Sequence, residues 1–196
     1  MNKKRFSGYI VGAVLILLGI FLMTTFNALV KKEEKVKLQW NEVQNAYQRR
    51  IDLVPNLVNV VKGQADFEQT TLQKIAEARA KAGRVTTTAS ELTEENYRQQ
   101  NAAQNELAAA TNNLIAVVEK YPNLQGTEAF RGLQTQLEGT ERRIKFARKD
   151  FNDAIAAFNS SVRSFPTNLI AGIFGFQSKE GFQSDAGAEK AIEIKF

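Results

Sequence analysis

Residues 127–166 read TEAFRGLQTQLEGTERRIKFARKDFNDAIAAFNSSVRSFP. Large apolar side chains recur every seven residues through this stretch: Phe130, Leu137, Ile144, Phe151, Phe158 and Phe165. Leu133, Ala147 and Ala154 lie on the adjoining ridge. A sustained seven-residue repeat keeps one apolar seam on one side of a helix. It predicts packing against partner helices with a left-handed crossing. Gly132 and Gly139 weaken the first half by about 1 kcal/mol each against alanine. With only three prolines in 196 residues, the chain reads as all-α.

Upstream, a second helix is expected from Thr93, with Glu94 and Glu95 in its first turn, where acidic groups suit the helix dipole. Ala103, Leu107, Ala110, Leu114, Val117 and Tyr121 give its apolar face, and Tyr121–Gly126 reads as a turn. Before that, Val36, Trp40, Val43, Tyr47, Ile51, Val54, Val58 and Val61 recur at three- and four-residue steps. Leu72, Ile75, Ala76 and Ala80 continue the pattern to Gly83. Pro55 interrupts it, and a kink or break is expected near Val54, because proline removes a backbone donor and clashes with the preceding turn.

The N-terminal region is of another kind. No charged residue occurs between Phe6 and Val30, and Lys3, Lys4 and Arg5 precede that run. A spanning helix needs about 20 apolar residues. The rival is a cleaved signal peptide, but the run exceeds the usual apolar core of one and no small-x-small site follows. An uncleaved anchor is favoured. The basic cluster at the N-terminus favours N-terminus inside and domain outside, although Lys31, Lys32, Lys35 and Lys37 crowd the far end. The expected architecture is a transmembrane helix followed by an antiparallel long-helix bundle of three to four helices. Residues 1–30 form the tail and anchor, 31–170 the bundle, and 171–196 a glycine-bearing tail. Residues 191–196 of that tail alternate enough to form a short strand or arm.

Chemistry is constrained by what is missing. There are no cysteines and no histidines, which removes thiolate nucleophiles, the commonest general base and the commonest zinc ligand. No phosphate loop, nucleophile elbow or metal-ligand spacing is present, so no enzyme, metal or cofactor is expected. The net charge of +5 reads as a solvated helical surface, with attraction to anionic lipid headgroups as the sharper alternative. Nucleic acid is not an expected partner. Each proline opens a similar phrase: Pro55-Asn56-Leu57, Pro122-Asn123-Leu124 and Pro166-Thr167-Asn168-Leu169. These read as turn and cap chemistry.

Two groups of residues stand out as candidate sites. Arg50, Asp52, Asn56, Glu68 and Arg79 sit on or beside the apolar stripe of the first helical region. Charges near a core must be paired, which predicts a polar network fixing helix register. The second group is Val36, Trp40, Val43 and Tyr47. If the membrane-near part of that region stands as a lone stalk, these four expose an apolar stripe. They then form a candidate self-association face.

The stretch Trp40–Val58, the pair Ala78-Arg79, and Phe151-Asn152-Asp153 with Phe158–Leu169 and Gly175-Phe176 resemble the LemA family. The resemblance covers nearly the whole chain. It implies a bacterial membrane protein with a long-helix bundle, without implying an activity; with the one anchor, the expected location is the bacterial cytoplasmic (inner) membrane, spanned once. Gene neighbourhoods of that family imply an association with membrane proteases of the HtpX type or with TPM-domain proteins. The expected function is thus a membrane-anchored scaffold or adaptor that binds protein partners or itself. An accessory regulator of a neighbouring membrane protease or TPM-domain protein is the alternative.

Overall fold

The computed structural model describes residues 3–63, 68–88 and 93–182. Six helices and no strand occur among them: α1 Lys3–Lys62, α2 Gln69–Arg84, α3 Glu94–Val118, α4 Pro122–Gln125, α5 Glu128–Arg163 and α6 Thr167–Phe174. The fold is an all-α bundle with one long apolar N-terminal helix. The arm expected at 191–196 lies outside the described residues. The chain separates into two compact units, Met1–Glu34 with Asn152–Phe196, and Lys35–Phe151. Both α1 and α5 contribute residues to each.

The Lys35–Phe151 unit contains the main core. Val54, Leu57 and Val61 of α1, Ile75 and Ala78 of α2, Leu107 and Leu114 of α3, and Phe130 and Leu137 of α5 form one buried apolar cluster. Local chemistry starts two of the helices, α3 and α4, as the sequence suggests. The Thr93 hydroxyl accepts the backbone N–H of Asn96 and caps α3. Pro122 takes the first turn of α4, where its missing N–H has no intrahelical partner to lose. The seam residues Phe130, Leu137, Ile144, Phe151 and Phe158 are all buried. Phe165 is not. It lies beyond the end of α5 and is 80% exposed, because the helix stops before Pro166.

Of the kink or break expected near Val54, the break does not occur. α1 runs through Pro55 to Lys62, and α2 begins at Gln69. The anchor and the first core helix are therefore one element. The cost of proline is met locally. Pro55 cannot donate to the carbonyl of Ile51, four residues back, and the Arg79 Nε of α2 donates to that carbonyl at 3.2 Å. A side chain 24 residues away in sequence replaces the missing backbone bond. This pairing predicts a measurable coupling. Arg79→Ala should cost about 1 kcal/mol in the native background, the usual size of a lost hydrogen bond. It should cost close to nothing beside Pro55→Ala, where the helix supplies its own donor. Thermal melts of the four proteins in the cycle test this. An Arg79→Ala penalty that ignores the Pro55 background would contradict it.

The Met1–Glu34 and Asn152–Phe196 unit has a smaller, aromatic core. Leu29, Ile155, Phe158, Ile170 and Ala171 are buried. The Phe26 ring packs on Phe174 at 4.8 Å and on Phe176 at 5.7 Å. Gly175 ends α6 with φ of 76°, a left-handed turn that glycine adopts without strain. The chain then returns along α5. The side-chain amide of Asn159 both donates to the carbonyl of Lys179 and accepts its N–H, at 2.7 and 2.8 Å. Asn152 clamps Phe182 in the same two-bond fashion, at 2.9 and 2.7 Å. A Cβ on Gly181 would fall 2.5 Å from the Asn152 Oδ1, so this clamp depends on a residue without a side chain.

Candidate functional site: a polar layer beneath an α1/α5 groove

Inside the Lys35–Phe151 unit, polar side chains of α1 meet α3 and α5 in successive layers. The Gln44 and Gln100 amides pair reciprocally at 2.8 and 2.6 Å. Gln100 also accepts the backbone N–H of Thr87, and the Trp40 indole donates to the Thr87 carbonyl at 2.9 Å. One turn on, the Arg148 Nε donates to the Tyr47 hydroxyl at 3.1 Å, and its Nη2 donates to Asn105. Burial raises the Tyr47 hydroxyl above its ordinary value of 10.0, against the opposing pull of Arg148. The raised value makes Tyr47 favour the folded state below pH 10, a contribution that fades as pH rises further and the unfolded chain alone ionises.

The third layer is the most demanding. Arg50 is 2% exposed. Its Nε and Nη2 donate to the two carboxylate oxygens of Glu141 at 2.8 and 2.6 Å, and its Nη1 donates to the Gln104 carbonyl at 2.9 Å. The guanidinium is thus held by a two-pronged ion pair and a backbone carbonyl, which is how a buried cation is tolerated.

The five polar residues singled out in the sequence do not assemble in one place. Arg50 pairs with Glu141, which the sequence did not single out. Arg79 serves the Ile51 carbonyl. Asp52 accepts from Gln48 one turn back, on the exposed side. Asn56 is exposed on the same helix. Glu68 is the N-cap of α2, and its carboxylate accepts the Thr71 hydroxyl. The stripe considered as a self-association face is also placed differently. Val36, Trp40, Val43 and Tyr47 are all buried within this chain. Trp40 packs on Tyr97 of α3 and Phe151 of α5, with ring centroids 5.9 and 5.2 Å apart. The chain's own helices and the Thr87 segment cover the stripe, so no bare stalk is left for a second copy.

Above the polar layer, two adjoining hollows run between α1 and α5. One, of about 370 Å3, is lined by Glu42, Asn45, Arg49, Arg143, Phe146 and Asp150 among others. The other, of about 350 Å3, shares Asn45 and Arg49 and continues along Gln48, Asp52, Asn56 and Gln136. Phe146 is 62% exposed in this groove. It was missed in the sequence because it falls between seam positions Ile144 and Phe151. The signal was there: a large aromatic off the seam, two residues from Arg148 and flanked by Lys145. Among the described residues no group of acidic side chains is placed to hold a metal ion.

Magnetosome protein MamQ 2 of Paramagnetospirillum magneticum is 25% identical over 188 residues, covering 87% of this chain and 69% of the relative. MamQ of Magnetospirillum gryphiswaldense is 24% identical over 188 residues. Protein LemA of Metamycoplasma hominis is 22% identical over 145 residues, covering 74% of this chain and 63% of the relative. The N-terminal part of α1 is long and apolar enough to cross a membrane, and together with these relatives it marks a membrane-associated protein. The LemA family model matches residues 39–196, taking in the groove, the polar layer and both asparagine clamps, and the chain belongs to the LemA family.

Proposed function

We propose that this protein is a membrane-tethered scaffold or adaptor that binds other proteins through the α1/α5 groove. The observation that carries the reading is Phe146, exposed among Glu42, Arg49, Arg143 and Asp150 on a surface whose two helices are locked in register beneath it by Arg50 and Glu141. A rigid, mixed-charge surface with one aromatic anchor suits recognition of a protein segment with a complementary apolar residue. A photo-crosslinking residue at Phe146, activated in intact membranes, should give protein adducts of reproducible mass. The same probe at exposed Lys120 should give none. Phe146→Glu should abolish binding of the captured partner while changing stability by less than about 0.5 kcal/mol, as for most surface changes. Equal adducts from both positions would sink the proposal. Capture of a membrane protease or a TPM-domain protein would turn the adaptor reading into the accessory-regulator one.

The proposal includes a location: the bacterial cytoplasmic membrane, spanned once, with the N-terminus inside and the bundle outside. Its support is Lys3, Lys4 and Arg5 before the uncharged run. Protease added to intact spheroplasts should digest the bundle. Digestion that requires lysis would reverse the assigned orientation.

A further inference from the structure

We infer that α6 is a second membrane contact: a short helix seated in the bilayer interface beside the anchor, with a lipid surface covering its outer face. From Leu169 to Phe176 the sequence reads LIAGIFGF, with no charged or hydrogen-bonding side chain. Ile170 and Ala171 face inward and are buried. The opposite side is just as apolar, and it is bare: Leu169 and Ile173 are exposed, as is nearby Phe165, with Ile173 at 74%. A helix that is apolar all round belongs in a core or in lipid. Outside the anchor, Leu38 and Phe146 are the other exposed large apolar side chains among the described residues. The bare surface is thus concentrated on this corner of the chain.

Its depth is fixed by contacts within the same unit. Lys32 Nζ donates to the Ser161 hydroxyl near the end of α5, which places Ser161 level with the first lysines after the uncharged run. The chain then descends along the anchor. Thr167, at the start of α6, lines a groove of about 370 Å3 with Phe21, Thr24 and Ala28. Phe174 stacks on Phe26. Phe26 lies five residues before Lys31, or about 7.5 Å deeper at the helical rise. Interfacial helices bury their apolar faces about 5–10 Å below the headgroup boundary. The exposed face of α6 is therefore continuous with the lipid-facing surface of the anchor, at the depth where such helices sit. After Gly175 the chain climbs again, and Lys179 reaches Glu33 at 2.9 Å, back at the level of charge.

The inference rests on α1 crossing a bilayer, and the test checks that premise separately. The chain has no cysteine, so single nitroxide labels can be placed on the full protein in lipid vesicles through Ile173→Cys, Leu17→Cys and Asn123→Cys. Collisional relaxation is then compared for oxygen, which concentrates in lipid, and a water-soluble nickel chelate. Labels at Leu17 and Ile173 should favour oxygen several-fold over the chelate, and the label at exposed Asn123 should show the reverse. If Leu17 meets oxygen and Ile173 meets the chelate, α6 is in water and the inference fails while the anchor stands. If Leu17 also meets the chelate, both fail. If Ile173 resists both reagents, protein covers it, whether from a second copy or another segment, and lipid is not the occupant.

Discussion

Replacing Phe151 with alanine should lower the stability of the bundle by about 3–5 kcal/mol, the range for emptying a buried aromatic site. Phe151 is fully buried and packs at a tilt against Trp40. Trp40 is itself fixed by its bond to the Thr87 carbonyl, so the space left behind cannot close by a simple rotation of the indole. At about 2–4 °C per kcal/mol for a chain of this size, the melting temperature should fall by roughly 6–20 °C. The signal is readable in Trp40 fluorescence, because the lost ring is a neighbour of the only tryptophan in the chain. A melt within 2 °C of the native protein would show that the Phe151 site collapses freely, contrary to the packing described.

Glu141→Ala should be the second large effect. It removes both carboxylate acceptors from a guanidinium that is 3% exposed, although Glu141 itself is half exposed at 48%. Water can reach the vacated side, so the penalty should fall below the 3–5 kcal/mol of a fully buried broken pair, at about 2 kcal/mol. Glu141→Gln, which keeps one acceptor, should cost less. The diagnostic variant is Arg50→Met with Glu141→Gln. It removes the buried charge along with its partner and should recover much of the loss, since an unpaired buried charge costs more than an absent one. Urea melts of the three variants give the order. If the double variant is the least stable, the pair is net stabilising and its role is not register alone.

The sequence revealed what depends on local period and little of what depends on distant partners. The seam from Phe130 to Phe158 was visible because seven-residue spacing is intrinsic to helix packing. The caps at Thr93 and Pro122 were visible because they act within one turn. Pro55 misled because its cost is local while its remedy, Arg79, arrives from another helix. Arg50 needs a partner by its place on the apolar stripe, but nothing in its own stretch points to Glu141, which is 91 residues away. Phe146 escaped notice because a residue off the apolar seam is ordinarily solvated. Only the facing residues of α1 show that it sits in a groove.

The two asparagine clamps have a consequence for how this part of the chain can change length. Asn152 and Asn159 are seven residues apart on α5, and the peptide groups they hold, Phe182 and Lys179, are three apart. Seven residues of helix advance about 10.5 Å, and three residues of extended chain advance about 10 Å. Helix and returning segment are commensurate, like two scales ruled to a common mark. Because the clamps grip backbone amides, the identity of the two clamped residues is immaterial to these four hydrogen bonds. Spacing is not. A one-residue insertion between Lys179 and Phe182, or between the two asparagines, shifts one scale against the other and can satisfy only one clamp. Relatives that keep both asparagines should therefore tolerate substitution in this segment far more readily than any gap.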